Sequence, residues 1–553
     1  MALTNEIFEK LEAIVGKRNV SKDPAITHVY RCVSPQSSAH YGPYDTWTPQ
    51  PQAVVLPGSV EEVSLIIKLC NEYDIHFKAS STFWSAMGYI SSDNSIQLDM
   101  KRMGSVEIDA KNKMAIIEPY AIGAVVQAEA MKHGLNCHIG GVGSSSSILA
   151  ITSGWSGTGP TAIFMGASGE NLLAAEWVLP DGEIVRSGSL GAGAGWFCGE
   201  GPGPSTRSIL RGWLGSAGSM GVCTKIAIRL HPWPGPKYLP TRGDAPAYKI
   251  DGLENFRFYT ICFADWESFA ECYRLFHEND VLYLGHRQFN LFGRDVKTAM
   301  IKILTDPEKQ FCDIPVLMED EELKIANAKM KIDCQIIIAG MSEDDLDYKE
   351  AAVDEILRLT KGWKSEFMLD KDISDWAKLY LLRLGHKNLN FTYCGSFEGN
   401  VGLTSNVYVA TSVIEEISGI RRKWEQERGG IAATGGDSAM GSISLIGGGG
   451  MTGWEFFCHF DAYDKNSIDL VKEHIDTTQA WMFSKGLGID MGRWNEDLRR
   501  PDTYDYTQKE HDEIFSKIPQ PLIAEYQWKV REVFNPKNLT GSYYITKTPS
   551  DLK

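Results

Sequence analysis

Two stretches of this 553-residue chain combine small or hydroxyl-bearing residues with a complete lack of charge. From Cys137 to Gly159 the sequence runs CHIGGVGSSSSILAITSGWSGTG, with six glycines and no Asp, Glu, Lys or Arg, in a chain that is 23% charged. The glycines let backbone approach a ligand closely, and the serines add hydroxyl groups. Backbone N–H groups in such a run bind oxygen anions as a nest or a helix start does. Ser144–Ser147 stand directly before the apolar run Ile148–Ile151, which reads as a first helical turn. The same residues also read as a flexible Gly/Ser loop. The second stretch, Ser80–Gly88 (SSTFWSAMG), is likewise uncharged. Together they suit a phosphate or the edge of a polar ring.

Elements that position these stretches follow from the surrounding pattern. Ala53–Leu56 reads as a strand, Ser59 and Glu62 as a capping box opening the helix Val60–Tyr73, and His76–Ala79 as a second strand. Ser80–Gly88 therefore leaves the carboxyl end of a strand, where ligands sit in sheets of this type. Ser95–Met100, Ser105–Asp109 and Met114–Glu118 read as strands, Ile122–His133 as a helix stopped by Gly134, and Asn171–Leu179 with Glu183–Ser187 as a hairpin across Pro180-Asp181-Gly182. A helix Arg207–Leu214, a strand Val222–Leu230 and the proline cluster His231–Pro240 complete a first unit. From Asp251 to Arg499 strand is followed by helix: Phe256–Phe263 by Trp266–His277, Cys334–Ala339 by Leu346–Thr360, and Trp454–Phe460 by Lys465–Phe483. Antiparallel strands with helices on one face fit that pattern. The last stretch, Ile514–Tyr544, reads as an amphipathic helix ending near Phe534 and then NPKNLTGSYY.

Length exceeds what one core supports, so more than one domain is expected. A formal charge of −16 with no basic run argues against nucleic acid as a partner. No apolar run reaches bilayer-spanning length, and the N-terminus MALTNEIFEKLEAIVGK reads as an amphipathic helix rather than a signal peptide, so a cytoplasmic protein is expected. The 11 cysteines include no CxxC, and of the 12 histidines only His133 and His138 are close neighbours; no metal site is expected.

The order of several strings resembles the vanillyl-alcohol-oxidase, or PCMH-type, family of FAD-dependent oxidoreductases. They are PQAVVLPGSVEEVSLIIKLCNEYDI, SSTFWSAMG with SIQLDMKRMGSVEIDAKNKMAIIEPYAIGAVVQ, the serine-rich loop, ENLLAAEWVLPDGEIVRSG, GSAGSMGVCTKIAIRLHPWP and the terminal VREVFNPKNLTG. The resemblance implies an α+β fold: a two-part PCMH-type FAD-binding domain (1–238, with a C-terminal return at 506–553) and an inserted α+β cap, or substrate, domain (239–505). It implies a diphosphate loop at Ser80, Ser81, Thr82, Phe83, Trp84 and Ser85. Flavin-lining residues would be Gly143, Ser144, Ser145, Ser146, Ser147 and Ile148 with Ser153 and Gly154, and adenine-side backbone Gly221 and Val222. Members that bond FAD covalently through the first loop carry His where Trp84 stands, so non-covalent FAD is expected, with His386, His459 or a tyrosine as the remaining routes to a link. Phenol-specific relatives have an acidic residue in the serine-rich loop where Val142 stands here.

In such a protein FAD takes a hydride at N5, and the chain must orient the substrate and manage its proton. Arg493 in GIDMGRW is the first candidate; His459 in FFCHFD, Asp461 and Tyr393 in NFTYCGS follow. Each has a structural reading: Arg493 paired with Glu496 or Asp497, His459 in a strand core, Asp461 capping a helix, Tyr393 packing. The expected function is oxidation of a small alcohol, hydroxy acid or phenolic substrate, with electrons passed to oxygen or to an acceptor protein. A redox-neutral flavoenzyme of the alkyl-glycerone-phosphate-synthase type and a non-catalytic FAD-binding subunit are the alternatives. A homo-oligomer remains open.

Overall fold

The computed structural model describes residues 3–31, 49–83, 88–90, 94–140, 143–155, 159–188, 220–243, 249–286, 302–365 (apart from 304, 305 and 307), 375–382, 396–404, 406–428, 444–446, 451–460 and 533–540 (apart from 538), with a few single positions elsewhere. Among them lie four layers relevant to the site.

The first is a small sheet in the order Val20–Ser21, Ala53–Val55, Ser95–Asp99, His76–Ser80. The last three strands are parallel, and Ser95–Asp99 lies between the two strands joined by the helix Val60–Tyr73. That helix begins where expected, with Ser59 Oγ accepting from Glu62 N at 3.2 Å. The other half of the capping box differs: the Glu62 carboxylate accepts from Gly58 N at 2.7 Å and from Arg102 Nη1 at 3.1 Å. A cation across the fold draws the carboxylate one residue further back. Val63, Ile66, Ile67 and Cys70 bury the inward face against Ile96 and Leu98, as a 3.6-residue period requires.

Residues from the far end of the chain close the free edge of this sheet. Phe77 N donates to Leu539 O at 2.9 Å, Thr540 bridges Phe77 in parallel, and Lys537 Nζ reaches Asn71 O and Asp74 Oδ1 at 2.7 and 3.0 Å. An edge strand with open N–H and C=O groups is thereby capped by its own chain.

The second layer is a five-stranded antiparallel sheet in the order Val106–Asp109, Met114–Ile117, Val222–Arg229, Leu172–Val178, Ile184–Arg186. The expected hairpin across Pro180–Gly182 is its edge. The helix Gly123–Met131 packs against it through Val126 and Ala130.

The third and fourth layers follow the proline cluster. An antiparallel sheet orders Leu284–His286, Ile332–Ala339, Phe256–Phe263, Trp363–Lys364, and a second one orders Ser396–Thr404, Met451–Phe460, Ser444–Ile446. One face of the first carries Tyr259, Ile261, Phe263, Ile336 and Ile338 into the helices Trp266–Glu278, Glu343–Thr360 and Val407–Arg428. Its opposite face packs Phe256, Phe258, Leu284 and Ile337 against Trp233 and against Met131 and Met165 of the preceding unit. Helices on one face only is what the strand-then-helix pattern led one to expect, because each strand alternates between a helix-facing and an opposite side chain. The expected helices at 207–214 and 465–483 fall mainly outside the described residues. No helix among the described residues is long and apolar enough to cross a membrane.

Candidate functional site at the meeting of two uncharged loops

Strand His76–Ser80 delivers Ser81, Thr82 and Phe83 at its carboxyl end. The serine-rich loop comes to meet them: Ser147 N donates to Thr82 Oγ1 at 3.3 Å. This contact joins positions 65 residues apart and brings the two uncharged stretches into one place. The loop is a built structure rather than a flexible linker. Ser146 Oγ donates to Gly143 O at 2.7 Å, and Ser147 Oγ donates to Pro119 O at 2.6 Å while accepting from Ala150 N at 3.0 Å as the cap of the short helical turn Ile148–Ala150. Ser153 Oγ donates to Leu149 O at 2.8 Å, within the turn Ile151–Trp155 that also carries Gly154. The hydroxyl protons of Ser146, Ser147 and Ser153 therefore shape the loop itself, and so do the backbone N–H groups of Gly143, Ser146, Ser147 and Ile148, which donate to Gly140 O, Gly143 O, Thr82 Oγ1 and Ala121 O.

The loop rests on the start of the helix Gly123–Met131. Gly123 N donates to Ser146 O at 3.0 Å and Ala124 N to Ser144 O at 2.7 Å. A Cβ at Gly123 would sit 2.7 Å from Ile139 Cδ1 and 3.0 Å from Ser144 Cα, so the approach requires glycine. At the far end of the stretch, a Cβ at Gly159 would lie 2.1 Å from Ile139 O, and the excursion closes on itself there. Two buried amides flank the loops. Gln97 Oε1, beside the Ser80 loop, and both amide atoms of Gln127, one helical turn from Gly123, have no hydrogen-bond partner among the described residues. Buried and unpaired polar atoms beside a glycine-lined, charge-free cradle suit a dinucleotide with an uncharged hydrogen-bonding ring. The residues present fit FAD, which Ser81, Thr82 and the 143–148 loop would line when it is bound.

Directly beyond the loop, the chain meets the face of the second unit's sheet that its helices leave uncovered. Gly285 N donates to Pro160 O at 3.1 Å and Asn136 Nδ2 donates to Tyr283 OH at 3.2 Å, while within the first unit His138 Nδ1 lies 2.9 Å from Thr161 Oγ1. At that junction a row of polar side chains crosses three strands: His286 stands opposite Gln335, and Gln335 opposite Thr260. Asp333, next but one on the same face, accepts from Gln335 Nε2 at 3.1 Å. All four are at most 4% exposed. Sequence reasoning missed this row. Its signal is Asp333 and Gln335 interrupting the otherwise apolar strand IDCQIIIA, with pairing to Thr260 and His286 that only the sheet register reveals.

Of the residues expected from the sequence, Ser80, Ser81, Thr82 and Phe83 share one locality with Gly143, Ser144, Ser145, Ser146, Ser147 and Ile148 through the Thr82–Ser147 bond. Gly221 and Val222 open the strand Val222–Arg229, with Val222 paired to Val178. His459 stands opposite Phe397 in the three-stranded sheet. Trp84, Ser85, Val142, His386, Tyr393, Asp461 and Arg493 lie outside the described residues. No group of three metal-binding side chains occurs among the described residues.

His231 stands at the exit from the first unit. Its Nε2 lies 2.7 Å from Asn171 Oδ1, and the Asn171 amide nitrogen donates to Met165 O and Ala167 O, so the imidazole is the donor in the first contact. Burial, and after it the Arg229 guanidinium, pushes His231 down to about 4. The ring is neutral at pH 7.

Comparison with known proteins agrees with this geometry. Residues 51–188 match the family described as FAD binding domain, so the cofactor of this chain is FAD. A D-lactate dehydrogenase from Archaeoglobus fulgidus is 30% identical over 186 residues, covering 32% of this chain and 38% of that protein. The first curated relatives are all matched over less than half of their own length. Among solved structures, p-cresol methylhydroxylase with substrate bound has a TM-score of 0.72 at 14% identity, covering 99% of this chain and 97% of that one. A 4-ethylphenol oxidase from Gulosibacter chungangensis has 0.69 at 15%, covering 100% and 99%. The chain has their fold, and the α+β, PCMH-type expectation stands.

Two outcomes follow. Gly123→Ala is expected to push the serine loop off the helix start and weaken FAD binding by roughly 1–3 kcal/mol, about fivefold or more in Kd; titration of apoprotein with FAD checks it, and unchanged affinity removes Gly123 from the cradle. For His231 the folded pKa is depressed, so its stabilising contribution is complete above the unfolded value of about 6.5 and is lost as pH falls toward 4. Wild-type protein should lose up to about 3 kcal/mol more than His231→Gln between pH 7 and pH 4; parallel denaturant melts across that window would reveal equal losses if the assignment is wrong.

Proposed function

We propose that this chain, an FAD binding domain joined to a sheet-and-helix cap in the fold of p-cresol methylhydroxylase, is an FAD-dependent oxidoreductase acting on a small organic alcohol, hydroxy acid or phenol. The observation that carries the reading is the Ser147 N–Thr82 Oγ1 contact, which brings the two uncharged loops together as a cofactor cradle. FAD, when bound, supplies the hydride acceptor. The chain's own residues do the rest. Thr260 and Gln335 offer a hydroxyl and an amide to orient a substrate oxygen, His286 and His138 are imidazoles able to hold its proton, and Asp333 fixes the Gln335 amide. Arg493 remains the proposed cation for an anionic or phenolate substrate, with His459, Tyr393 and Asp461 as further polar candidates. We divide the chain at 238 and 505, with 506–553 returning to the FAD domain, and propose non-covalent FAD, a cytoplasmic setting, and oxygen or an acceptor protein as the electron sink.

The support is threefold: the FAD binding domain match, relatives named as D-lactate dehydrogenases and a glycolate oxidase subunit, and a fold shared with enzymes acting on cresol and ethylphenol. Anaerobic titration of the purified yellow protein with primary alcohols, 2-hydroxy acids and 4-alkylphenols is expected to bleach the flavin with one of these classes. A flavin that none of them reduces would sink the oxidoreductase reading and leave a non-catalytic FAD-binding subunit. Acid precipitation of the same preparation is expected to leave a yellow supernatant and a colourless pellet; colour retained in the pellet means a covalent link.

A further inference from the structure

We infer that the side chains of Tyr30, Phe83, Tyr89 and Gln97 form a brace that holds Ser80–Phe83, and Gly88 where the chain returns, in an FAD-ready arrangement before the cofactor arrives. They are positioning residues: they act through the loop, and the inference rests on FAD being the cofactor of residues 51–188.

Three observations carry it. Gln97 is 0% exposed on the strand beside the loop, and its Nε2 donates to Lys78 O at 2.9 Å and to Gly88 O at 3.1 Å. One amide nitrogen thus ties the strand feeding the loop to the residue where the loop returns. The return is tight: a Cβ at Gly88 would fall 2.4 Å from Ser80 Oγ. Secondly, Phe83 has φ +50°, the left-handed region that side chains other than glycine adopt at a cost. Backbone preference alone would select glycine there. The chain carries an aromatic residue instead, and its ring packs edge-on against Tyr30 (centroids 5.3 Å, 78°) and tilted against Tyr89 (5.2 Å, 59°). Thirdly, Tyr30 is itself moored. Its hydroxyl donates to Asp99 Oδ2 at 2.6 Å, and Asp99, two residues beyond Gln97 on the same strand, pairs with Lys101 at 3.1 Å. One strand therefore anchors both arms of the brace.

The braced atoms matter to the cofactor because of what adjoins them. Thr82, next to Phe83, accepts from Ser147 N of the second loop, so the backbone turn at Phe83 sets the spacing between the two halves of the cradle. The three rings stand outside the apolar core beneath the parallel sheet, which is built from Val63, Ile67, Phe77, Ile96, Leu98 and their neighbours. Their loss leaves that core intact and raises the ordering cost that FAD must meet on binding.

The test is FAD affinity of stripped apoprotein, read by flavin fluorescence, together with the FAD dissociation rate of the holoprotein and the melting temperature of the apoprotein. Phe83→Gly relieves the backbone and removes the ring; it is expected to raise Kd roughly tenfold or more while moving the apoprotein Tm by no more than about 2 °C. Phe83→Leu, which keeps bulk without an aromatic edge, and Gln97→Met should weaken binding in the same way, mainly through faster FAD release. Tyr30→Phe keeps the ring contact but removes its mooring on Asp99, and should raise Kd in the same direction by less than Phe83→Gly does. Wild-type affinity in Phe83→Gly overturns the brace, as does a fall in apoprotein Tm that matches the loss of affinity in every variant. Wild-type protein that takes up no FAD overturns the cofactor assignment itself, and with it the role given to these residues.

Discussion

The structure turns on close approach of backbone to backbone where no charged side chain intervenes. Thr82 and Ser147 touch, Gly123 lies against Ser144, and Gly159 lies against Ile139 O, all at separations that a larger residue forbids at the glycine positions. A diphosphate is a flexible, doubly charged group, and many modest N–H and hydroxyl donors fixed around it are an adequate substitute for Lys or Arg when water is excluded. The absence of cationic side chains from both stretches is thus compatible with anion binding, provided that the donors are held rigidly.

Rigidity comes from elsewhere in the fold. Ser146 and Ser147 bond their hydroxyls to Gly143 O and Pro119 O, Gln97 spans Lys78 O and Gly88 O, and Leu539 pairs with Phe77 on the strand that carries the first loop. Each of these contacts ties the chain to itself, and each removes a degree of freedom from the cradle before a ligand is present. The C-terminal residues belong to this scaffold even though they follow the whole cap in sequence.

The cap sheet divides its labour by face. Its helix-facing side chains form one aromatic and aliphatic core, in which Phe269 stacks on Tyr273 at 4.8 Å, while the other face docks on Trp233, Met131 and Met165 at one end and carries the buried row Thr260, Gln335, His286 further along. Period-two alternation makes such a division automatic. A strand whose two faces must meet different surroundings accepts polar residues on one face only.

Much of this was legible in the chain as written. Ser59 before an apolar period of 3.6, the turn residues Pro180-Asp181-Gly182, and charge-free glycine and serine runs act locally, so the helix Val60–Tyr73, the hairpin at 172–186 and the character of the two loops follow from neighbouring residues alone. The Glu62 carboxylate could not be placed that way, because Arg102, forty positions away, decides its partner. Nor could the cap's polar row, since His286, Gln335 and Thr260 become neighbours only through strand register, and a single-residue slip would turn each to the opposite face. Sequence determined which segments could bind an anion and which could fold. Tertiary structure alone decided that Ser147 reaches Thr82, that Phe83 keeps a left-handed backbone under two tyrosines, and that Leu539 and Thr540 lock the first loop's support, because each depends on contacts between residues the chain keeps far apart.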